Sequence, residues 1–176
     1  MLPRSRDNLS PLPVAPRPFP EEALGSWIGR MASCYHMAVS GFDYQMDVGL
    51  EGLTGGVGWL LLPKQSDFTL ARLAGLARLA PEMLRAIEIP ANWGQRRRQY
   101  RYCARCVFLT PEDVAAPFWK RHWLDPDATI CEVHTMPLRA IPSARLRRCL
   151  NHAQLLSQIS IFEREPESRS CDPILR

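Results

Sequence analysis

Tyr102-Cys103-Ala104-Arg105-Cys106, answered twenty-four residues later by Cys131-Glu132-Val133-His134, is the stretch on which the fold turns. Two thiolates separated by two residues form a chelating knuckle, and a thiolate and an imidazole at the same separation complete a tetrahedron. That donor set suits zinc. The predicted ligands of one structural Zn2+ are Cys103, Cys106, Cys131 and His134, because four protein donors leave no position for a catalytic water. The alternative, free cysteines beside an unrelated downstream pair, does not account for matching spacings at both ends.

A zinc deaminase also combines a cysteine pair with a histidine, but its chemistry needs a His-x-Glu segment to supply the general acid and base. No histidine of this chain is followed two residues later by glutamate, so no enzyme is expected. Between the pairs lie Pro117, Phe118, Trp119, His122 and Trp123. The aromatic bulk can pack on a knuckle too small to make its own core, or it can stack on exposed bases. His122 could compete for the metal but lacks a partner at chelating spacing. Cys34, Cys149 and Cys171 read as buried or idle thiols.

Upstream of the knuckle, Arg96, Arg97, Arg98, Arg101 and Arg105 form a basic run. It can grip a phosphate backbone or simply be a solvated face beside the metal. Further upstream, Leu70, Leu73, Ala74, Leu76, Ala77 and Leu79 recur at helical spacing, and Ala80-Pro81-Glu82 restarts a second helix through Met83, Leu84 and Ile87. Two short helices with a tight turn are the core of a helix-turn-helix, although an ordinary αα-corner has the same pattern. The second helix would display Glu82, Arg85 and Glu88, a poor set for a phosphate-lined groove. Gly41 to Ser66 is glycine-rich and reads as turns and short helical pieces.

Six of the sixteen prolines fall within residues 1 to 20, which must be extended. Pro20, Glu21 and Glu22 then suit the first turn of a helix, and Leu24, Trp27, Ile28, Met31, Ala32 and Tyr35 give it an apolar face to about residue 37. Beyond Pro142, Ser143 can cap a helix carrying Leu146, Cys149, Leu150, Ala153, Leu156 and Ile159. The tail from Glu163 to Arg176 reads as loose. No internal repeat is found.

Across the 176 residues, the net charge of +4 hides an uneven choice of cation: twenty of twenty-two basic residues are arginine. Arginine's planar fork suits phosphate, nucleic acid or an acidic protein surface, while G+C-rich codons alone would give the same bias. Residues 1 to 17 lack the apolar core of a signal peptide, and no stretch reaches eighteen apolar residues. A soluble cytoplasmic protein with no membrane partner is expected, in which six cysteines serve metal ligation better than disulfides.

Two blocks resemble the TniQ family of transposon-encoded proteins. One is Pro18-x-Pro20-Glu21-Glu22-x-Leu24-x-Ser26-Trp27-Ile28-x-Arg30-Met31-Ala32. The other runs from Arg101-Tyr102-Cys103-x-x-Cys106 through Pro117-Phe118-Trp119-x-x-x-Trp123 to Cys131-x-x-His134-x-x-Pro137-Leu138. The resemblance covers roughly residues 14 to 142. It implies a mainly α fold: an N-terminal helix-turn-helix helical domain, a small zinc-ribbon or knuckle, and a C-terminal helix. The corresponding segments are 1–19 extended, 20–95 helical, 96–142 zinc-binding, and 143–176 C-terminal helix and tail.

The resemblance also implies a transposition adaptor linking target DNA, or a target-recognition complex such as a CRISPR effector with guide RNA, to an AAA+ transposition ATPase (TnsC/TniB-like). A stand-alone zinc-containing helix-turn-helix transcription regulator is the alternative. Ser26, Trp27 and Arg30 match the N-terminal signature, where packing is expected. The resemblance implies a Cys-Pro pair, frequent in the family, shortly after the leucine that follows the histidine; this chain has Ile141-Pro142, which counts against a second metal site. The chain also lacks the long C-terminal region of larger relatives, which favours bridging between proteins over sequence-specific DNA binding.

Overall fold

The computed structural model describes residues 10–93, 97–108 and 117–165. Its centre is α1 (Leu24–Cys34), whose residues from Leu24 to Ala32 are all buried. A helix buried on every side must be enclosed by neighbours. Here they are α2 (Val39–Met46), a 3-10 helix over Gly56–Leu61, and the last helix of the chain. The 3-10 segment comes so close that a Cβ on Gly25 would sit 2.1 Å from the Trp59 carbonyl oxygen, so only glycine fits there.

Residues 10–19 contain neither helix nor strand, as the prolines require, yet they are fastened down. The Leu12 N–H donates to the Leu76 carbonyl at 2.8 Å, and Trp27 Nε1 donates to the Pro16 carbonyl at 2.7 Å. The helix itself starts later than proline and acid placement suggests. Ala23 occupies its N-cap, and Pro20, Glu21 and Glu22 lie ahead of it. Glu22 instead forms an isolated antiparallel bridge with Lys120.

Two helices follow at the expected places, α3 (Asp67–Ala77) and α4 (Pro81–Arg85). Ser66 caps α3 by accepting the Thr69 N–H, and Arg78 ends it with a left-handed φ of 54°. Proline at the first turn of α4 supplies the fixed φ that a helix start needs. The display expected of α4 is corrected at one position. Glu82 is exposed, Arg85 is paired with Asp67, and Glu88 is buried, accepting the Gln65 N–H at 2.7 Å.

The second half is built on a two-stranded antiparallel sheet of β1 (Gln99–Tyr102) and β2 (Arg139–Pro142), with Tyr100 opposite Ile141 and Tyr102 opposite Arg139. A short α5 (Ala104–Phe108) leaves β1 directly. Ser143 opens only a 3-10 turn and caps nothing. The closing helix, α6 (His152–Arg164), starts at Asn151, whose side chain accepts the Gln154 N–H and donates to the Met37 carbonyl. Its buried face is therefore His152, Leu155, Ile159 and Phe162, and Leu150 is exposed.

The first residues of the expected loose tail are also tied. Glu163 accepts from Tyr102 and Arg139, and Glu165 pairs with Arg145; residues 166–176 lie outside the described ones. One buried cluster runs from Leu12 to Phe162, so the apolar interior of the helical half continues into that of the sheet half. Among the described residues, no helix is long and apolar enough to cross a membrane.

Candidate metal centre

Cys103 lies between β1 and α5, and Cys106 is the third residue of α5, where the Val107 N–H donates to the Cys103 carbonyl at 3.1 Å. The second pair sits on a tight turn. The Cys131 N–H donates to the Met136 carbonyl, the Thr135 N–H returns to the Cys131 carbonyl, both at 2.8 Å, and Thr135 takes a φ of 50° to close it. These two turns bring Cys103, Cys106, Cys131 and His134 together, with their donor atoms all within 4.8 Å of one another.

The separations fit one ion. A tetrahedral metal with bonds of ~2.3 Å to sulfur and ~2.0 Å to nitrogen spaces its ligands by about 3.5–3.8 Å. Cys106 Sγ lies 3.6 Å from Cys131 Sγ, and His134 Nδ1 lies 3.5, 3.2 and 3.8 Å from the sulfurs of Cys103, Cys106 and Cys131. The residues present could therefore hold one metal ion through three sulfurs and one nitrogen.

Electrostatics favour such an occupant. Burial pushes the thiols of Cys103 and Cys106 above their ordinary range. Burial acts on Cys131 in the same direction, but the backbone N–H groups of His134 and Val133, together with hydrogen bonds from Cys103 and Cys106, bring that thiol below its ordinary value. N–H groups aimed at a ligand sulfur orient it and favour its thiolate form. A metal ion would supply the remaining positive charge. Among the described residues this is the one cluster of histidine, cysteine or carboxylate donors suited to an ion. Ile141 is fully buried in β2.

The other candidates separate clearly. His122 does not join the cluster; its ring contacts the Ile130 carbonyl at 3.2 Å and Glu132 at 3.5 Å, bracing the second turn. Trp119 and Trp123 are buried and meet edge to face at 5.6 Å, so they pack the interior and are not available to stack on bases. Of the basic run, Arg96 lies outside the described residues. Arg97 donates to the carbonyls of Trp93 and Leu124, and Arg101 donates to those of Pro126 and Ala128. Arg98 and Arg105 are exposed. Cys34 is exposed, Cys149 is buried, and Cys171 lies outside the described residues.

Beside the metal cluster, spacing alone missed a buried polar network. Glu22 accepts from Ser26 Oγ at 2.9 Å and from Arg30 Nε and Nη2 at 2.9 and 2.7 Å, and Arg30 also donates to the Arg17 carbonyl. Ser26 Oγ in turn accepts the Trp119 N–H at 2.9 Å. Ser26 and Arg30 are thus polar ties as well as packing residues, and they fasten the segment between the two ligand pairs to α1. Burial raises the Glu22 carboxyl despite its hydrogen bonds to Arg30 and Ser26. The spacing of four between Glu22, Ser26 and Arg30 was the available signal.

His152 makes the same junction from α6. Its ring Nε2 hydrogen-bonds the Pro117 carbonyl, and burial lowers its pKa from 6.5 to about 4, with Arg30 adding to the effect. The unfolded chain binds this proton more readily, so the neutral ring stabilises the fold above pH ~6.5, and that contribution falls away toward pH 4. The loss is on the order of 3 kcal/mol. His152→Gln, which keeps a donor but cannot titrate, is expected to flatten that part of a denaturant-based stability curve measured between pH 7 and 4.5. An unchanged slope would remove His152 as its cause.

A family model described as TniQ matches residues 13–138. Comparison with curated proteins finds no match, and neither does comparison with solved structures. The matched span holds the α1 signature with its Glu22–Ser26–Arg30 network and all four clustered donors. The chain belongs to the TniQ family, and its association is with transposition.

Proposed function

We propose that this protein is a non-enzymatic adaptor of transposition. It works in the cytoplasm and links target DNA, or a target-recognition complex such as a CRISPR effector with its guide RNA, to an AAA+ ATPase. The metal is one zinc ion, bound by Cys103, Cys106, Cys131 and His134 as a zinc-ribbon-like staple. Three thiolates and an imidazole are the donors of a closed structural zinc site, which leaves no place for an activated water.

The observation that carries the docking role is the surface of the second knuckle. Its ligand side chains turn inward, while Ile130, Val133 and Met136 on the same turn are 54%, 60% and 40% exposed. Apolar side chains gathered on a rigid turn are what a protein partner can cover. The α3–α4 pair is the helix-turn-helix of this reading and acts as a structural corner, because Arg85 is paired and Glu88 is buried. Arg98, just ahead of β1, and Arg105, on α5, are exposed and carry the contacts to nucleic-acid phosphate in this reading.

The test is co-purification of this chain with the AAA+ ATPase encoded beside it, with and without DNA, for wild type and Val133→Asp. ATPase capture that falls at least about tenfold in Val133→Asp, with zinc content unchanged, is the expected result. A zinc-loaded protein that ignores the ATPase and binds duplex DNA tightly by itself would favour a stand-alone regulator.

A further inference from the structure

A cavity of about 720 Å3 opens between the glycine-rich turn of residues 52–58 and the start of β1. Its volume is that of a small-ligand site. Thr54, Gly55, Arg97, Tyr100, Ser143 and Arg147 contribute to its wall, and no carboxylate does. Arg97 is half-buried and bonded only to the two carbonyls already described, with no carboxylate within ion-pair distance among the described residues. Burial lowers its pKa and neighbouring Arg101 adds to that cost, while Tyr100 and Asp125 offset part of it. Arg147, at the exposed rim, has no ion pair among the described residues either. Two cations on a cavity wall that carries no carboxylate, one of them partly desolvated, favour an anionic occupant.

The glycines separate into two kinds. Gly52 and Gly56 are needed by the fold: φ is 68° and 67°, and a Cβ would lie 2.5 Å from Pro63 and 2.8 Å from the Arg147 carbonyl oxygen. Gly55 is not. Its φ of −61° suits any residue, and a Cβ there would meet nothing within 4 Å. A bare backbone position on a cavity wall gives a ligand room for close approach.

We propose that this cavity binds a phosphate group between the guanidiniums of Arg97 and Arg147, with the hydroxyls of Thr54 and Ser143 as further donors. Planar guanidinium forks match phosphate oxygens. The phosphate belongs either to a polynucleotide backbone or to a free nucleotide. The proposal does not depend on an ATPase partner, so it stands or falls separately from the adaptor role.

Two probes of the zinc-loaded full chain test it: pyrophosphate by titration calorimetry, and a labelled oligothymidylate by fluorescence anisotropy with pyrophosphate as competitor. Saturable binding of at least one probe is expected. It should weaken at least about tenfold in both Arg147→Glu and Gly55→Asp, with unchanged melting temperature, and stay near wild type in Arg78→Glu, an equal charge change outside the cavity. Pyrophosphate binding without saturable oligonucleotide binding assigns the free nucleotide. Oligonucleotide binding that pyrophosphate displaces assigns the backbone. Absence of saturable binding by either probe, or an equal loss in Arg78→Glu, overturns the proposal.

Discussion

Cys131→Ser is expected to abolish binding of the proposed zinc ion and to unfold the half that begins at β1. Structural zinc sites contribute apparent binding energies of about 10–16 kcal/mol, as large as the ~5–15 kcal/mol that holds a typical domain folded. The sheet region has little regular structure to replace it. Its strands are four residues long, and the turn of residues 131–136 is closed by a few backbone hydrogen bonds. The loss should appear as zinc near zero by elemental analysis and as rapid proteolysis within residues 99–165, and Cys103→Ser should behave alike. Cys149→Ser, which removes a buried thiol outside the cluster, should keep one zinc per chain. A Cys131→Ser protein with one zinc and unchanged melting would show that the ligand assignment is wrong.

Arg30→Met is expected to be the most damaging change outside the metal cluster. Glu22 and Arg30 are both buried, and their bidentate pair is shielded from water by the N-terminal segment and Trp119. Removing one partner of such a pair leaves an unpaired charge in the interior and costs about 3–5 kcal/mol. For a chain of this size that is a fall in melting temperature of roughly 10 °C. The double variant Glu22→Gln with Arg30→Met should regain part of that loss, because the stranded carboxylate is gone. Thermal melts of the zinc-loaded proteins read both effects. A single variant within about 1 kcal/mol of wild type would remove the network from the list of ties between the two halves.

The cluster of Cys103, Cys106, Cys131 and His134 was legible because a chelating pair is local: two residues of spacing fix two donors on one turn, whatever the rest of the chain does. Helices α1, α3 and α4 were legible for a similar reason, since apolar spacing and Pro81 act within a few residues. What escaped the sequence depends on distant partners. Glu22 reads as a first-turn acid until Arg30 and the bridge to Lys120 draw it inside, ahead of the helix. The strands at Gln99–Tyr102 and Arg139–Pro142 are too short to show alternation, and each is paired with a partner distant in the chain. The start of α6 shifted from Ser143 to Asn151 because Asn151 binds both its own helix and the Met37 carbonyl.

The arginines teach the same point about charge. A run of basic residues in sequence suggests one surface, yet Arg97 and Arg101 turn to backbone carbonyls while Arg98 and Arg105 face solvent. Arg97 instead joins Arg147, fifty residues away in the chain, at a single cavity. Tertiary placement therefore decides which cations can meet a phosphate.

The central claim is that this TniQ-family chain directs transposition to its target by joining a recognition module to the ATPase. Mapping of insertion sites in cells carrying the transposon, with this gene intact or deleted, tests it most directly. Insertions clustered at one kind of target with the intact gene, and scattered or absent insertions in the deletion, are the predicted result. Unchanged frequency and unchanged target choice in the deletion would contradict the account.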